Sequence, residues 1–245
     1  MDRWITIKTA DGPMRSYFNA PSGRGPHPGV VVLQEAYGVN AYVKSVCDRL
    51  ADAGYTAVAP ELYHRAGTHL EIEYSDHPKA MEQLRQLSNA TLLEDGGAAI
   101  VELRQRPDVD PRRVAVLGFC MGGFAALLAG LSTNVPAVVA FYPGLLVRQR
   151  EGFAIEPIVE KLSTMRAATQ IHFGDADTSI PAEDRARVKA ALAASPCVHQ
   201  VIVHAGANHA FHRHDCGSIY HPQAAEEAWH ETLGWLKENL APRAT

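Results

Sequence analysis

The chain has 245 residues, 47% hydrophobic and 20% charged, which is ample material for a core and shows no compositional sign of disorder. A formal net charge of -4 lacks the basic excess of a nucleic-acid-binding surface, so no nucleic acid is expected as a partner. No apolar run is long enough to cross a bilayer, and the stretch from Met1 to Ile7 lacks the charged and apolar regions of a signal peptide. The four cysteines, Cys47, Cys120, Cys197 and Cys216, form no CxxC pair, so reduced thiols and a cytoplasmic location are expected.

Taken in chain order, residues 4–9 and 15–19 predict a hairpin joined through Asp11-Gly12. Apolar runs at 30–33, 55–59, 114–117, 137–141, 169–173 and 199–203 predict strands, several of them covered on both faces. Helical patterns fall between them at about 41–53, 91–105, 122–131, 182–194 and 223–240. The weakly periodic stretch 60–78 predicts a long loop with short helical pieces on the side of the site. Alternating strands and helices predict one α/β domain over residues 1–245, with a mostly parallel, doubly wound sheet flanked by helices.

The stretch Gly118-Phe119-Cys120-Met121-Gly122-Gly123 lies between a predicted strand and a predicted helix. A thiol at the tip of such a turn is either a small buried hydrophobe or a displayed nucleophile. The strand before it and the helix after it favour the nucleophile, with glycines allowing a strained backbone and a close approach of helix to strand. Met121 then opens the helix, and its free N–H is suited to a developing oxyanion.

A base and an orienting acid should follow the nucleophile in the order acid, then histidine. Asp175 and Asp177 both follow the strand at 169–173, and Asp177 is favoured as the acid, with Asp175 as a loop or capping residue. His209, in the glycine-containing loop after the strand at 199–203, is favoured as the base over His204 at the strand end. Upstream, Gln34-Glu35-Ala36-Tyr37-Gly38 follows another strand, and the Ala36 N–H is expected as the second oxyanion donor. Glu35 reads either as a solvated loop carboxylate or as a group that meets the thiol and controls when it ionises.

Together, the segments from Gln34 to Asn40 and from Gly118 to Gly123, Asp177 with Ile180-Pro181, and Gly206 with His209-Ala210-Phe211 resemble the dienelactone hydrolase family. The resemblance spans roughly residues 5–240. It implies an α/β-hydrolase fold and hydrolysis of an ester or lactone such as carboxymethylenebutenolide. It also implies Cys120 as nucleophile, His209 as base, Asp177 as its acid, Glu35 as the thiol's partner and Arg213 as binder of a substrate carboxylate. A solvated loop cation is the other reading of Arg213. The family's second substrate-binding arginine has no counterpart in residues 73–79, where His77 and Lys79 are the nearest basic groups, followed by Arg85. None of these reproduces the fork of a guanidinium on a carboxylate.

Tyr37 and Tyr142, with Tyr63, Tyr74 and Phe141, are candidates to line a pocket, although aromatic residues near strand ends also serve as core. The histidines between His199 and His221, with Cys216, raise a metal-binding alternative, but they show neither HExxH nor paired CxxC spacing. No metal and no cofactor are expected. A ligand binder without turnover is the remaining alternative. The expected partner is a small ester or lactone, and a monomer is the default.

Overall fold

The computed structural model describes residues 3–242. Its strands are β1 (Trp4–Thr9), β2 (Gly12–Asn19), β3 (His27–Leu33), β4 (Thr56–Pro60), β5 (Val109–Phe119), β6 (Ala137–Phe141), β7 (Ala168–Gly174) and β8 (His199–His204). They form one sheet in the order β1-β2-β4-β3-β5-β6-β7-β8. The hairpin β1–β2 joins β4 antiparallel, and every pair from β4 across to β8 is parallel. The helices are α1 (Ala41–Asp52), α2 (His77–Arg85), α3 (Asn89–Gln105), α4 (Met121–Ser132), α5 (Ala182–Ala193) and α6 (Pro222–Asn239).

The continuous apolar runs become the central strands. Every residue of β4 and β6 is buried, as are residues 114–119 of β5, which is the signature of strands covered on both faces. Helices α3 and α4 lie side by side against β5, α1 packs on β4 and α6 on β7. Local sequence sets several helix starts. The Asn40 side chain accepts from the Val43 N–H at 3.2 Å to begin α1. Ser88 and Thr91 form a reciprocal capping box at α3.

Two elements depart from the sequence expectation. β5 starts at Val109, ahead of the apolar run at 114–117, because Asp110, Pro111, Arg112 and Arg113 on its more exposed end hide that part of the strand from an apolar pattern. The helix α2 was not expected as a full element. Only Ala80, Gln83 and Leu84 are buried along it, too sparse a stripe to read from the sequence, and it is started by the Asp76 side chain with Pro78 in the first turn.

β3 leads through α1 to β4 on one side, and β5 leads through α4 to β6 on the other. The connections therefore diverge between the carboxyl ends of the paired neighbours β3 and β5. In an open parallel sheet such a divergence opens a crevice for ligands. Two glycines let the elements meet there. A Cβ on Gly118 would overlap the Gly122 carbonyl, and a Cβ on Gly122 would overlap the carbonyl oxygens of Leu33 and Gln34. Because these obstacles are backbone atoms, a Gly118→Ala variant is expected to lose about 3 kcal/mol of stability. Thermal unfolding reads this directly, and an unchanged Tm would contradict the close approach.

Candidate active site

Cys120 sits between the last residue of β5 and the first of α4, with φ 54° and ψ -115°. A left-handed backbone at a residue with a Cβ costs about 1–3 kcal/mol and persists only where its surroundings enforce it. Here the Cys120 N–H donates to the Phe141 carbonyl at 3.0 Å, and the Cys120 carbonyl accepts from the Phe124 N–H at 3.2 Å. The close approach at Gly118 and Gly122 fixes the turn from the other sides. The result is a half-buried thiol on a cavity of about 690 Å³ that also meets Glu35, Tyr37, His209 and Arg213. Cys47 differs sharply: it lies fully buried in α1, and burial pushes its thiol well up.

His209 comes from the loop after β8, and its Nδ1 lies 2.7 Å from Asp177 Oδ2. Asp177, in the loop after β7, is 2% exposed. Its other oxygen, Oδ1, accepts from the Ser179 N–H at 2.8 Å and the Ser179 hydroxyl at 2.5 Å. With Nδ1 facing the carboxylate, Nε2 is the nitrogen left for chemistry in the cavity. The imidazole lines the same cavity as Cys120 and is pushed up to about 10. Burial opposes protonation there, but the negative charge of a Cys120 thiolate and the bond to Asp177 outweigh it. Burial likewise works to raise Asp177, yet the bonds from His209 and Ser179 hold it below its ordinary value.

The rival residues have other partners. Asp175 accepts from the Gly206 N–H at 2.7 Å and so ties the loops after β7 and β8 together. His204 is buried 3.1 Å from His172 and is absent from the cavity lining. His212 is buried with its Nδ1 2.7 Å from the Tyr42 hydroxyl, and His221 caps α6. Among the described residues no group of three or more His, Cys, Asp or Glu side chains is gathered as for a metal ion.

Glu35 is 2% exposed and is held by Arg213 and Tyr142. Its Oε2 accepts from Arg213 Nη1 at 3.2 Å and its Oε1 from the Tyr142 hydroxyl at 3.1 Å. No hydrogen bond joins Glu35 to the thiol among the described residues, and the guanidinium is the opposite charge within reach of this buried carboxylate. Burial raises Glu35, with Arg213 working against the shift. Tyr142, expected against substrate, is corrected as well. It has no exposed surface and is absent from the cavity lining, and its hydroxyl is spent on holding Glu35.

Arg213 lines the cavity, with its guanidinium 4.0 Å from the Tyr74 ring and 5.2 Å from that of Tyr37. Its Nε is buried without a hydrogen-bond partner among the described residues. Tyr37 also lines the cavity, and its hydroxyl lies 3.1 Å from His77 Nδ1. The N–H of Met121, as the first residue of α4, has no partner within the helix. Ala36 lines the same cavity from the loop after β3. Sequence reasoning missed Ser179, although a serine two residues after an aspartate is a recurrent turn signal. It also missed the cavity wall supplied by α2 through Met81 and Leu84.

A mostly parallel sheet whose carboxyl-edge loops carry a thiol on a strained turn, an acid and a histidine defines an α/β-hydrolase. The chain matches the dienelactone hydrolase family over residues 14–240. It is 32% identical over 240 residues to a Synechocystis protein named "Putative carboxymethylenebutenolidase", covering 96% of each. It is 30% identical over 244 residues to a Bradyrhizobium protein named "Probable 2-oxo-3-(5-oxofuran-2-ylidene)propanoate lactonase", covering 99% of this chain and 96% of that one. A Klebsiella pneumoniae crystal structure described as a "Putative Dienelactone Hydrolase" superimposes with a TM-score of 0.87 at 29% identity, covering 96% of this chain and 97% of that one. The chain belongs to the dienelactone hydrolase family and is a carboxylic ester or lactone hydrolase.

Proposed function

We propose that the chain cleaves its ester or lactone through a thioester on Cys120, with His209 as base and Asp177 as the group that orients it. The reading rests on one observation above others. Cys120 and His209 line one cavity, and His209 turns its Nδ1 to a buried carboxylate oxygen of Asp177 2.7 Å away.

The Cys120 thiolate attacks the carbonyl carbon, forming a C–S bond while the carbonyl electron pair moves to oxygen. The N–H groups of Ala36 and Met121 receive that oxyanion, a contribution worth about 3 kcal/mol per donor where it has been removed elsewhere. The C–O bond to the leaving group breaks, and the departing alkoxide or enolate takes the proton held on His209. Neutral His209 then removes a proton from water as the hydroxide attacks the thioester. Collapse releases the carboxylic acid and returns the thiolate beside a protonated imidazole. Arg213 and Tyr37 border the space where the acid portion or its neighbours would lie, and the Glu35 carboxylate screens the arginine's charge.

A rapid-quench reaction with p-nitrophenyl acetate, followed by peptide mass analysis, tests this reading. An acetyl group on the peptide containing Cys120 is expected, with release of p-nitrophenol in a burst. Turnover without any adduct at Cys120, or an adduct at another residue, would overturn the assignment. Binding of the ester with neither adduct nor turnover would leave only a ligand binder.

A further inference from the structure

The cavity that holds Cys120 is lined by two kinds of side chain. One kind is polar and includes Glu35, His209 and Arg213. The other is an apolar wall of Met81 and Leu84 of α2, Leu146 and Val147 of the loop after β6, Ile180 before α5 and Val188 in α5. Leu84, Leu146, Ile180 and Val188 are buried parts of the hydrophobic core, so this wall is backed by packed side chains. Met81 and Val147 are half-buried and pack against that core.

Two of the three arginines on the lining are paired with carboxylates. Arg213 bonds Glu35. Arg148 places its Nε 3.0 Å from both oxygens of Asp184 and bonds Glu183 as well. Arg150 is exposed, with its guanidinium 5.1 Å from the Phe153 ring. A substrate carboxylate directed into this part of the cavity would meet hydrocarbon together with the carboxylate of Asp184. Burying it against the hydrocarbon, where no hydrogen bond compensates, would be costly. Hydrocarbon incurs no such cost, and a volume of about 690 Å³ leaves room for a group larger than a compact lactone ring.

We propose that this apolar wall is a chain-binding subsite, and that the substrates are esters or lactones carrying a medium-length hydrocarbon group rather than compact dicarboxylate lactones. The proposal rests on the hydrolytic reading above, since the subsite matters only if a carbonyl is delivered to Cys120. A methylene moved from water onto such a wall contributes about threefold in kcat/KM when fully buried.

Two ester series separate the possible positions of the chain. The p-nitrophenyl esters of acetate, butyrate and hexanoate vary the acyl side, while ethyl, butyl and hexyl acetates vary the alcohol side. In one series kcat/KM is expected to rise at least about tenfold from the shortest to the longest member. Met81→Arg and, separately, Val147→Asp are expected to cut that long-to-short ratio by about tenfold. Using the ratio within each folded variant removes any general loss of activity, and two sites guard against one variant failing to fold. Flat or falling activity in both series would overturn the subsite, as would faster turnover of mono-p-nitrophenyl succinate than of the hexanoate. A rise with chain length that neither variant affects would also overturn it, by placing the chain elsewhere. The failures are distinguishable: turnover through a Cys120 adduct with no rise in either series sinks the subsite alone, whereas absence of any Cys120 adduct sinks the hydrolytic reading beneath it.

Discussion

A Cys120→Ala variant is expected to lose at least about a thousandfold in kcat/KM toward p-nitrophenyl acetate, because no thioester can form. What survives should come from binding and the oxyanion donors alone. The fold should survive too, since alanine keeps the Cβ that the left-handed backbone at this position already accommodates. The same substitution has an electrostatic consequence. His209 is pushed up to about 10 against its own burial, with the charge at Cys120 foremost among the groups that favour its proton. Removing the sulfur removes that charge, so the imidazole should titrate well below about 10 in the variant, as followed by NMR of the His209 ring. The sign of the linked stability follows. A histidine raised in the fold stabilises it fully below the ordinary imidazole range, and that stabilisation is lost as pH rises through the folded value of about 10. The alanine variant should therefore show a smaller decline in stability across that alkaline window. Turnover within tenfold of the wild type would remove Cys120 from the chemistry.

The parts of this site that could be read from sequence share one feature. Glu35, Ala36, Cys120, Asp177 and His209 each lie just past a strand whose apolar run is unmistakable, so topology delivers their loops to one edge of the sheet. Gly118 and Gly122 carried the further information that backbones touch at the turn, because only an absent side chain permits it. What could not be read depends on pairing across long separations. Glu35 and Arg213 are 178 positions apart, and Glu35 and Tyr142 are 107 apart. Each residue taken alone suggested substrate or thiol as its partner. Only the folded chain reveals that a buried carboxylate, a guanidinium and a phenol meet one another first. The helix α2 escaped for a different reason. Its buried positions are too few to announce an amphipathic helix, yet its Met81 and Leu84 help decide what the cavity can hold.

The choice between two nearby aspartates has an equally decisive expected result. Asp177→Asn should reduce kcat by about a thousandfold or more, while Asp175→Asn should stay within about tenfold of the wild type. The hydrogen bonds around Asp177 explain why an amide cannot substitute. Oδ1 accepts from both the N–H and the hydroxyl of Ser179, so an asparagine would turn its carbonyl oxygen to that side. Its NH₂ group would then face His209 Nδ1, which in the wild type lies 2.7 Å from a carboxylate oxygen. A donor there makes Nδ1 an acceptor and moves the ring proton to Nε2, the nitrogen that must take protons from thiol and water. The variant would keep the shape of the site while presenting the wrong tautomer. Asp175, by contrast, is exposed and bonds only a loop amide at Gly206, an interaction an asparagine oxygen reproduces. Equal losses in the two variants, or a larger one at Asp175, would mean that His209 is oriented by something other than the carboxylate it faces.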